Sequence, residues 1–369
     1  MIENKYLKSK DIIIISSSCE DLAWALKKCG YRIFSISLYQ SSKLKKICEK
    51  CFQIKSFDQE FIYKIIEKID PFRKKKILIG SGIAERVSDC DFISNRKNLS
   101  NNFKTLKKIN SVEKLYKTLE NKKIPYPEWS LSLPKKKSDW LFKDTRSVGG
   151  NLVKRLDEDF KKKFIKKNTF FQKIIEGRNI SVQFFSNNYK FSIYSVCSQW
   201  FSKTEKIPFL LRGIVTIKRP KELIEKIRPI IEKIVRATNL NGLNSIDFII
   251  HNNDYDNIKV IDINARPGLS INFLSKIYKE KLFSKNTSYI ETDFYYSTAI
   301  VYCNKKKIFD SKKIKRFNKI LTSKSFSELP NRNILVSKSE PLCLVHAKSK
   351  SLKRVKSKIK KLSEIIIKI

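Results

Sequence analysis

Short apolar runs bounded by polar or turn-forming residues dominate the first hundred positions, and they alternate between two periods. Ile12–Ile15 is a continuous β-branched block that predicts a buried strand. Ser18 and Asp21 have the spacing of a capping box, and the helix they would start runs through Leu22, Ala23 and Leu26 to a stop at Gly30. Residues 32–38 alternate as a strand, 58–69 carry helical spacing that ends before Pro71, and Ile77–Ile79 is a strand delivering Gly80-Ser81-Gly82. This strand–helix–strand rhythm predicts a small parallel sheet over roughly the first 95 residues. Gly80 and Gly82 lack the third glycine and the helix of a dinucleotide-binding fingerprint.

Helical spacing then fills 98–122 and is stopped by Ile124-Pro125-Tyr126-Pro127. Strand patterns follow at 139–143, 170–175, 179–186 and 190–197, then a helix over 220–238. Two further strands, 244–251 and 257–263, flank the polar turn Asn252–Asp256. From about residue 296 the pattern gives one strand, Ser297–Cys303, a lysine-rich stretch and a C-terminal helix, with no internal repeat. The lysine-rich pieces at 304–318 and 348–361 read as solvated faces or linkers.

At 369 residues the chain is long enough for two or three cores, and 41% apolar with 31% charged residues suits a globular protein. No run approaches the roughly 20 apolar residues of a membrane span. The Ile12–Ile15 block follows a lysine-rich start and has no small-residue cleavage site after it, so it reads as a strand and not a signal peptide; a cytoplasmic location is the expectation. The net charge of +42 would ordinarily suggest a polyanion partner. The lysines, however, are spread evenly among abundant Ile, Asn, Phe and Ser, as a compositional bias produces, so nucleic acid is not the expected partner. The charge should still concentrate anionic small molecules. Cys48 and Cys51 form a single CxxC without a second pair, and the only histidines, His251 and His346, are distant in sequence; free thiols are expected among the eight cysteines.

Nine glycines remain in a chain that shuns them, and such residues tend to stand where a side chain is not tolerated. Three segments carry candidate chemistry. In the first, a strand ending Trp140-Leu-Phe-Lys143 leads through a short loop to Gly149-Gly150, where backbone N–H groups and an ammonium could hold phosphate. In the second, Phe170-Phe-Gln172-Lys173-Ile174-Ile175 turns tightly at Gly177 into a strand from Asn179, as in a hairpin whose backbone could face an adenine edge. In the third, Asp247 lies on one strand and Asp262 and Asn264 on the next, joined by a turn that lets the carboxylates stand side by side. Two carboxylates and an amide oxygen make a hard-cation site suited to Mg²⁺ on phosphates, and Arg266 continues the same side toward a developing oxyanion.

In this order, and over nearly the whole chain, the segments resemble the ATP-grasp superfamily. The resemblance implies an α/β (α+β) fold: a preATP-grasp domain at 1–97, an ATP-grasp domain at 98–300 (lid part about 98–190, metal-binding part about 191–300) and a small α/β extension at 301–369. It implies ATP with two Mg²⁺ ions, Mn²⁺ being an alternative, held by Asp247, Asp262 and Asn264. Lys143, Gly149 and Gly150 match the phosphate-contacting lysine and the closing glycine loop; Gln172, Lys173 and Ile175 match the adenine hinge, and Lys108 is the candidate for a second phosphate lysine. Asn179 stands where many members place a ribose-binding Glu, Asp262 replaces the commoner Glu, and Asp144 stands where Pro is frequent. A narrower likeness is to ATP-dependent carboligases related to biotin carboxylase, among them tyramine–glutamate ligases. It is carried by Gly80-Ser-Gly82, Leu211-Arg212-Gly213, Asn264-Ala-Arg266-Pro-Gly268, Ala299-Ile-Val-Tyr302 and Glu340 to Ala347.

The expectation is an ADP-forming carboxylate–amine ligase using an acyl phosphate. Arg266 and Arg212 would steady the tetrahedral intermediate, with glutamate as acid and tyramine or a related amine as acceptor. Its partners would be small molecules, with no membrane; a homodimer is compatible with the reading. Three alternatives stay open: a bicarbonate-using carboxylase related to biotin carboxylase, a basic nucleic-acid-binding protein, and an ATP-grasp relative without catalysis.

Overall fold

The β-branched block Ile12–Ile15 is wholly buried because it forms the middle of a sheet covered on both faces. The computed structural model describes residues 10–369 apart from 87–95, 159, 203, 205–206, 285–286, 321–322 and 332–333. Lys5 and Lys8 of the lysine-rich start lie outside the described residues. Strand β1 (Asp11–Ser16) pairs in parallel with β2 (Arg32–Ser37), and β2 pairs in parallel with β3 (Lys50–Gln53). The strand β4 (Lys76–Ile79) returns to the other side of β1, giving the order β3-β2-β1-β4. Helices α1 (Glu20–Lys28), α2 (Ser42–Ile47) and α3 (Gln59–Ile69) make the crossovers. The patterning missed α2 and β3: the helix has six residues and the strand sits half-exposed at the sheet edge, so neither shows a clear period.

The capping box expected at Ser18 and Asp21 is absent. Helix α1 starts after Cys19 without a side-chain cap from its own turn. Instead the Glu20 N–H donates to Glu328 Oε1 at 2.9 Å, a cap from 308 positions away that only the tertiary fold could supply. Asp21 accepts from Asn272 and Ser327, so it serves the same long-range joint.

The helical stretch at 98–122 is two helices, α4 (Phe103–Asn110) and α5 (Val112–Asn121), broken at Ser111. Next comes a small antiparallel sheet of β5 (Trp129–Ser130), β6 (Trp140–Asp144), β7 (Val153–Arg155) and β8 (Thr169–Lys173), ordered β5-β8-β6-β7. The large sheet follows with β9 (Arg178–Asn187), β10 (Lys190–Phe201), β11 (Leu211–Thr216), β12 (Gly242–Ile250), β13 (Ile258–Asn264) and β14 (Tyr295–Tyr302). The amphipathic helix α5 and the long α6 (Lys221–Thr238) share an apolar core with it, through Tyr116, Leu119, Ile227, Ile231 and Ile234 against Val182 and Ile246. Helix α7 (Ile271–Ile277) packs on α1.

The hairpin expected across 170–186 is not one. Strand β8 belongs to the small sheet and β9 to the large one, so residues 174–177 are the hinge where the chain changes sheets. Beyond β14, β15 (Lys307–Phe309) and β17 (Ile334–Val336) make a separate ribbon beside α8 (Ser311–Ile320). In contrast β16 (Phe326–Ser327) and β18 (Pro341–Ser349) extend the large sheet to the order β13-β12-β9-β10-β11-β14-β18-β16, covered by α9 (Leu352–Lys368). The lysine-rich C-terminal stretch thus has a buried side: Val355, Ile359 and Ile366 of α9 are core residues, while its lysines face water.

Candidate active site

Asp247 and Asp262 are direct partners in the antiparallel register of β12 and β13, and Ser245 faces Asn264 one step along. The neighbouring strand puts Ser181 opposite Asp247. Period-two alternation thereby gathers both carboxylates and the amide on one face of the large sheet. Asp262 is exposed, whereas Asp247 is half-buried and its Oδ1 makes no hydrogen bond. Burial first, and the Asp262 charge second, push the Asp247 carboxyl up to about 6; the polar side chains Ser181 and Gln199 hold it down in part. Asn264 Nδ2 donates to Asp247 Oδ2 at 3.3 Å, and Arg266 Nη2 donates to Asn264 Oδ1 at 3.0 Å. Arg266 is buried, and its Nε donates to Glu85 Oε1 at 2.5 Å.

Lys143 comes across from β6 of the small sheet. Its Nζ donates to Gln172 Oε1 at 3.1 Å and to the Ile261 carbonyl of β13 at 3.2 Å. Burial lowers its pKa, against the pull of the Asp262 and Asp247 charges. Gln172 in turn donates from Nε2 to Tyr116 Oη at 2.6 Å, and Tyr116 stacks on Trp129 with ring centroids 4.6 Å apart. The loop between β6 and β7 carries Gly149 and Gly150 over β11, where the Leu211 N–H donates to the Gly149 carbonyl at 2.9 Å. Gly150 has φ +75°, and a Cβ there would run into the Phe209 carbonyl.

These groups line one cleft of about 520 Å³ between the two sheets and the end of the parallel sheet. Lys143, Gly149, Gly150, Gln172, Lys173, Ile175, Asp247, Asp262, Asn264 and Arg266 all border it, as does Asn179. Lys173 does so at the exposed rim, where its ammonium pairs with Glu128 at 2.9 Å. Two expected residues are elsewhere. Lys108 Nζ donates to the Ala237 carbonyl at 2.8 Å near the end of α6, because its helix turns that side away from the cleft. Arg212 lies over the Tyr302 ring at 4.9 Å and does not border the cleft, although its neighbour Leu211 does. Glu85 and Tyr116 border the cleft and went unnoticed in the sequence. Glu85 could have been suspected from its place just after the strand ending in Gly80-Ser-Gly82, whereas Tyr116 looks like any aromatic on the apolar side of a helix.

Residues 109–270 match the family model described as ATP-grasp domain. This stretch of the chain is similar to an ATP-grasp domain. A curated relative, an uncharacterised protein of Methanocaldococcus jannaschii, is 23% identical over 91% of this chain and 88% of its own length. Among solved structures, the L-amino acid ligase of Bacillus licheniformis aligns with TM-score 0.70 at 14% identity, over 96% of this chain and 97% of that one. The biotin carboxylase of Campylobacter jejuni in complex with β,γ-ATP aligns with TM-score 0.68 at 10% identity, over 97% and 94%. At such identities the likeness is one of fold, and it extends over 96% and 97% of this chain. ATP with Mg²⁺ is the ligand that the sequence reading expects at this site.

The donor set fits the ion. Mg²⁺ is usually held by one or two carboxylates together with substrate phosphates, not by an all-protein cage. Asp247, with an oxygen that has no other partner, Asp262 and the amide of Asn264 are such a set. Among the described residues no group of three or more His, Cys, Asp or Glu could hold a metal ion. No helix among the described residues is long and apolar enough to cross a membrane.

Proposed function

We propose that this protein is an ADP-forming ligase that joins a small-molecule carboxylate to an amine. The supporting observation is the register pairing of Asp247 with Asp262, with Lys143 anchored 3.2 Å from the carbonyl between Val260 and Asp262 on the same strand. Phosphate-binding charge of both signs thus converges from two sheets on one place. A carboxylate is a poor electrophile, so its oxygen first attacks the γ-phosphorus of ATP; the bond from that phosphorus to the bridging oxygen breaks and ADP leaves. The amine nitrogen then attacks the acyl carbon, phosphate departs with its bonding pair, and the nitrogen gives up its proton.

In this scheme Lys143 offsets phosphate charge from the small-sheet side, and the Gly149-Gly150 backbone approaches the phosphates, with Gly150 placed where a Cβ would run into the Phe209 carbonyl. The hinge at Gln172 to Ile175 receives the nucleobase beside the Tyr116–Trp129 stack. Mg²⁺ held by Asp247, Asp262 and Asn264 would neutralise the phosphate oxygens. Arg266, whose Nη2 donates to Asn264 Oδ1 at 3.0 Å, is assigned to the acid's developing oxyanion. Arg212 is assigned no such role, because it is stacked on Tyr302 outside the cleft.

Glutamate as the acid, and tyramine or a related amine as acceptor, is the specific pair this reading favours. The test is ADP release with Mg²⁺-ATP over pools of amino acids and amines, with Asp262→Ala as the control. Release that requires both an acid and an amine and is lost in Asp262→Ala supports the ligase. Release that requires bicarbonate and biotin, with no need for an amine, would replace it with the carboxylase reading.

A further inference from the structure

The strand order of the parallel sheet reverses between β1 and β4, and open α/β sheets take ligands in the crevice outside the carboxyl ends of the strands at such a point. Glu85 stands there, in the turn that follows β4. Its Oε1 accepts from Arg266 Nε at 2.5 Å and its Oε2 accepts from the Gly82 N–H at 2.7 Å, which fixes the carboxylate against both the sheet end and the β13–α7 loop. Both side chains border the cleft, Glu85 with 12% and Arg266 with 9% of the side chain accessible. Through Asn264, Arg266 connects to Asp247. One line of contacts therefore runs from the cation-binding carboxylates to Arg266 and ends at Glu85.

Such a pairing would discriminate among acids by charge. An acid that brings its carboxylate to Arg266 must place it within a few ångströms of the Glu85 carboxylate. For a simple anion that position is repulsive, and the acid also competes with Glu85 for the guanidinium. A positive group beside the incoming carboxylate removes the repulsion and gives Glu85 a partner. Opposite charges fixed side by side are thus complementary to an ammonium and a carboxylate held close together.

We propose that Glu85 is a specificity-determining residue that receives a substrate ammonium group next to the carboxylate received by Arg266. The inference rests on the ligase reading above and deepens it. The ammonium has two sources: the α-amino group of the acid itself, or the amine co-substrate waiting to attack.

The experiment compares wild type with Glu85→Gln and Glu85→Asp. L-Glutamate is assayed against glutarate with tyramine as acceptor, and then every L-amino acid that releases ADP is assayed against its des-amino acid. Acyl phosphate formed without amine is trapped with hydroxylamine. If the ammonium belongs to the acid, Glu85→Gln lowers the ratio of kcat/KM for amino acid over des-amino acid by at least about tenfold, in the trapping reaction as well, and Glu85→Asp restores part of it. If it belongs to the amine, that ratio holds while the KM for tyramine rises about tenfold. A uniform fall in kcat/KM for all substrates, or no change in any, overturns the proposal and leaves Glu85 as a structural partner of Arg266. Should Glu85→Gln fail to fold, the same ratios are read from Glu85→Asp. No ADP from the wild type with any pair would overturn the ligase reading instead.

Discussion

Lys143 is the cation on which the nucleotide reading leans most, and its hydrogen bonds in the cleft go to neutral oxygens, Gln172 Oε1 and the Ile261 carbonyl. Neutral acceptors hold an ammonium in place without cancelling its charge, which leaves the charge for a phosphate. Lys143→Met should lower kcat/KM for ATP by about 10²–10³, the loss seen when one preorganised stabilising donor is removed, while the circular dichroism spectrum stays native. Gly150 is the second sensitive position. Ala there must adopt φ +75° and place its Cβ on the Phe209 carbonyl, so the loop has to lift from β11. Gly150→Ala should raise the KM for ATP severalfold and cost about 1–2 kcal/mol in urea unfolding. Lys143 and Gly150 were legible in sequence because a strand, a lysine and paired glycines are local features. Lys108 was misread because a lysine on a helix does not reveal which side of that helix faces the ligand.

At the scale of elements, α1 is locked to the last strands of the large sheet by hydrogen bonds to buried carboxyl groups. Glu20 and Glu328 exchange backbone-to-carboxylate hydrogen bonds at 2.9 and 2.8 Å, and Ser41 Oγ donates to Glu20 Oε2 at 2.5 Å. Ser327 donates to Asp21 at 3.1 Å, so the 2.7 Å contact between Ser327 and His346 Nε2 requires the imidazole to donate. Burial, with the Asp21 charge next, raises the Glu20 carboxyl from 4.5 to about 7. The fold therefore favours its protonated form, a contribution complete below pH 4.5 and lost as the pH rises through about 7. Burial lowers His346 from 6.5 to about 4, so its contribution is complete above 6.5 and is lost as the pH falls through about 4. Glu20→Gln, which cannot ionise, should gain on wild type by on the order of 3 kcal/mol in unfolding free energy as the pH rises across the Glu20 window, measured by urea titrations at each pH. An unchanged difference across that window would mean that the joint does not hold the proton.

For the whole molecule, the cleft is assembled from three sheets, and ligand binding is linked to the stability of their arrangement. Mg²⁺-ATP at about 100 times its Kd should stabilise the protein by about 2.7 kcal/mol and raise the thermal midpoint. Chelation by EDTA should remove most of that gain, and Asp262→Ala should fail to show the magnesium-dependent part. The charge of +42 acts at the same scale: the KM for ATP should rise steadily with added salt as the attractive field is screened. Salt-independent binding would mean that the surface lysines do not contribute to nucleotide capture.

The chain by itself determined the parallel sheet of the first part, the two acidic strands late in the chain, and the lysine and glycine loop. Each rests on a period of two or 3.6 residues, or on chemistry within a few positions. The register that sets Asp247 against Asp262 was within reach because one turn joins their strands. Only the tertiary structure decided the rest. It assigned β8 and β9 to different sheets, because strand partners are chosen by packing and not by adjacency in sequence. It capped α1 with Glu328 and brought Glu85 to Arg266, 181 positions away, since a buried charge must find its partner wherever the fold places one.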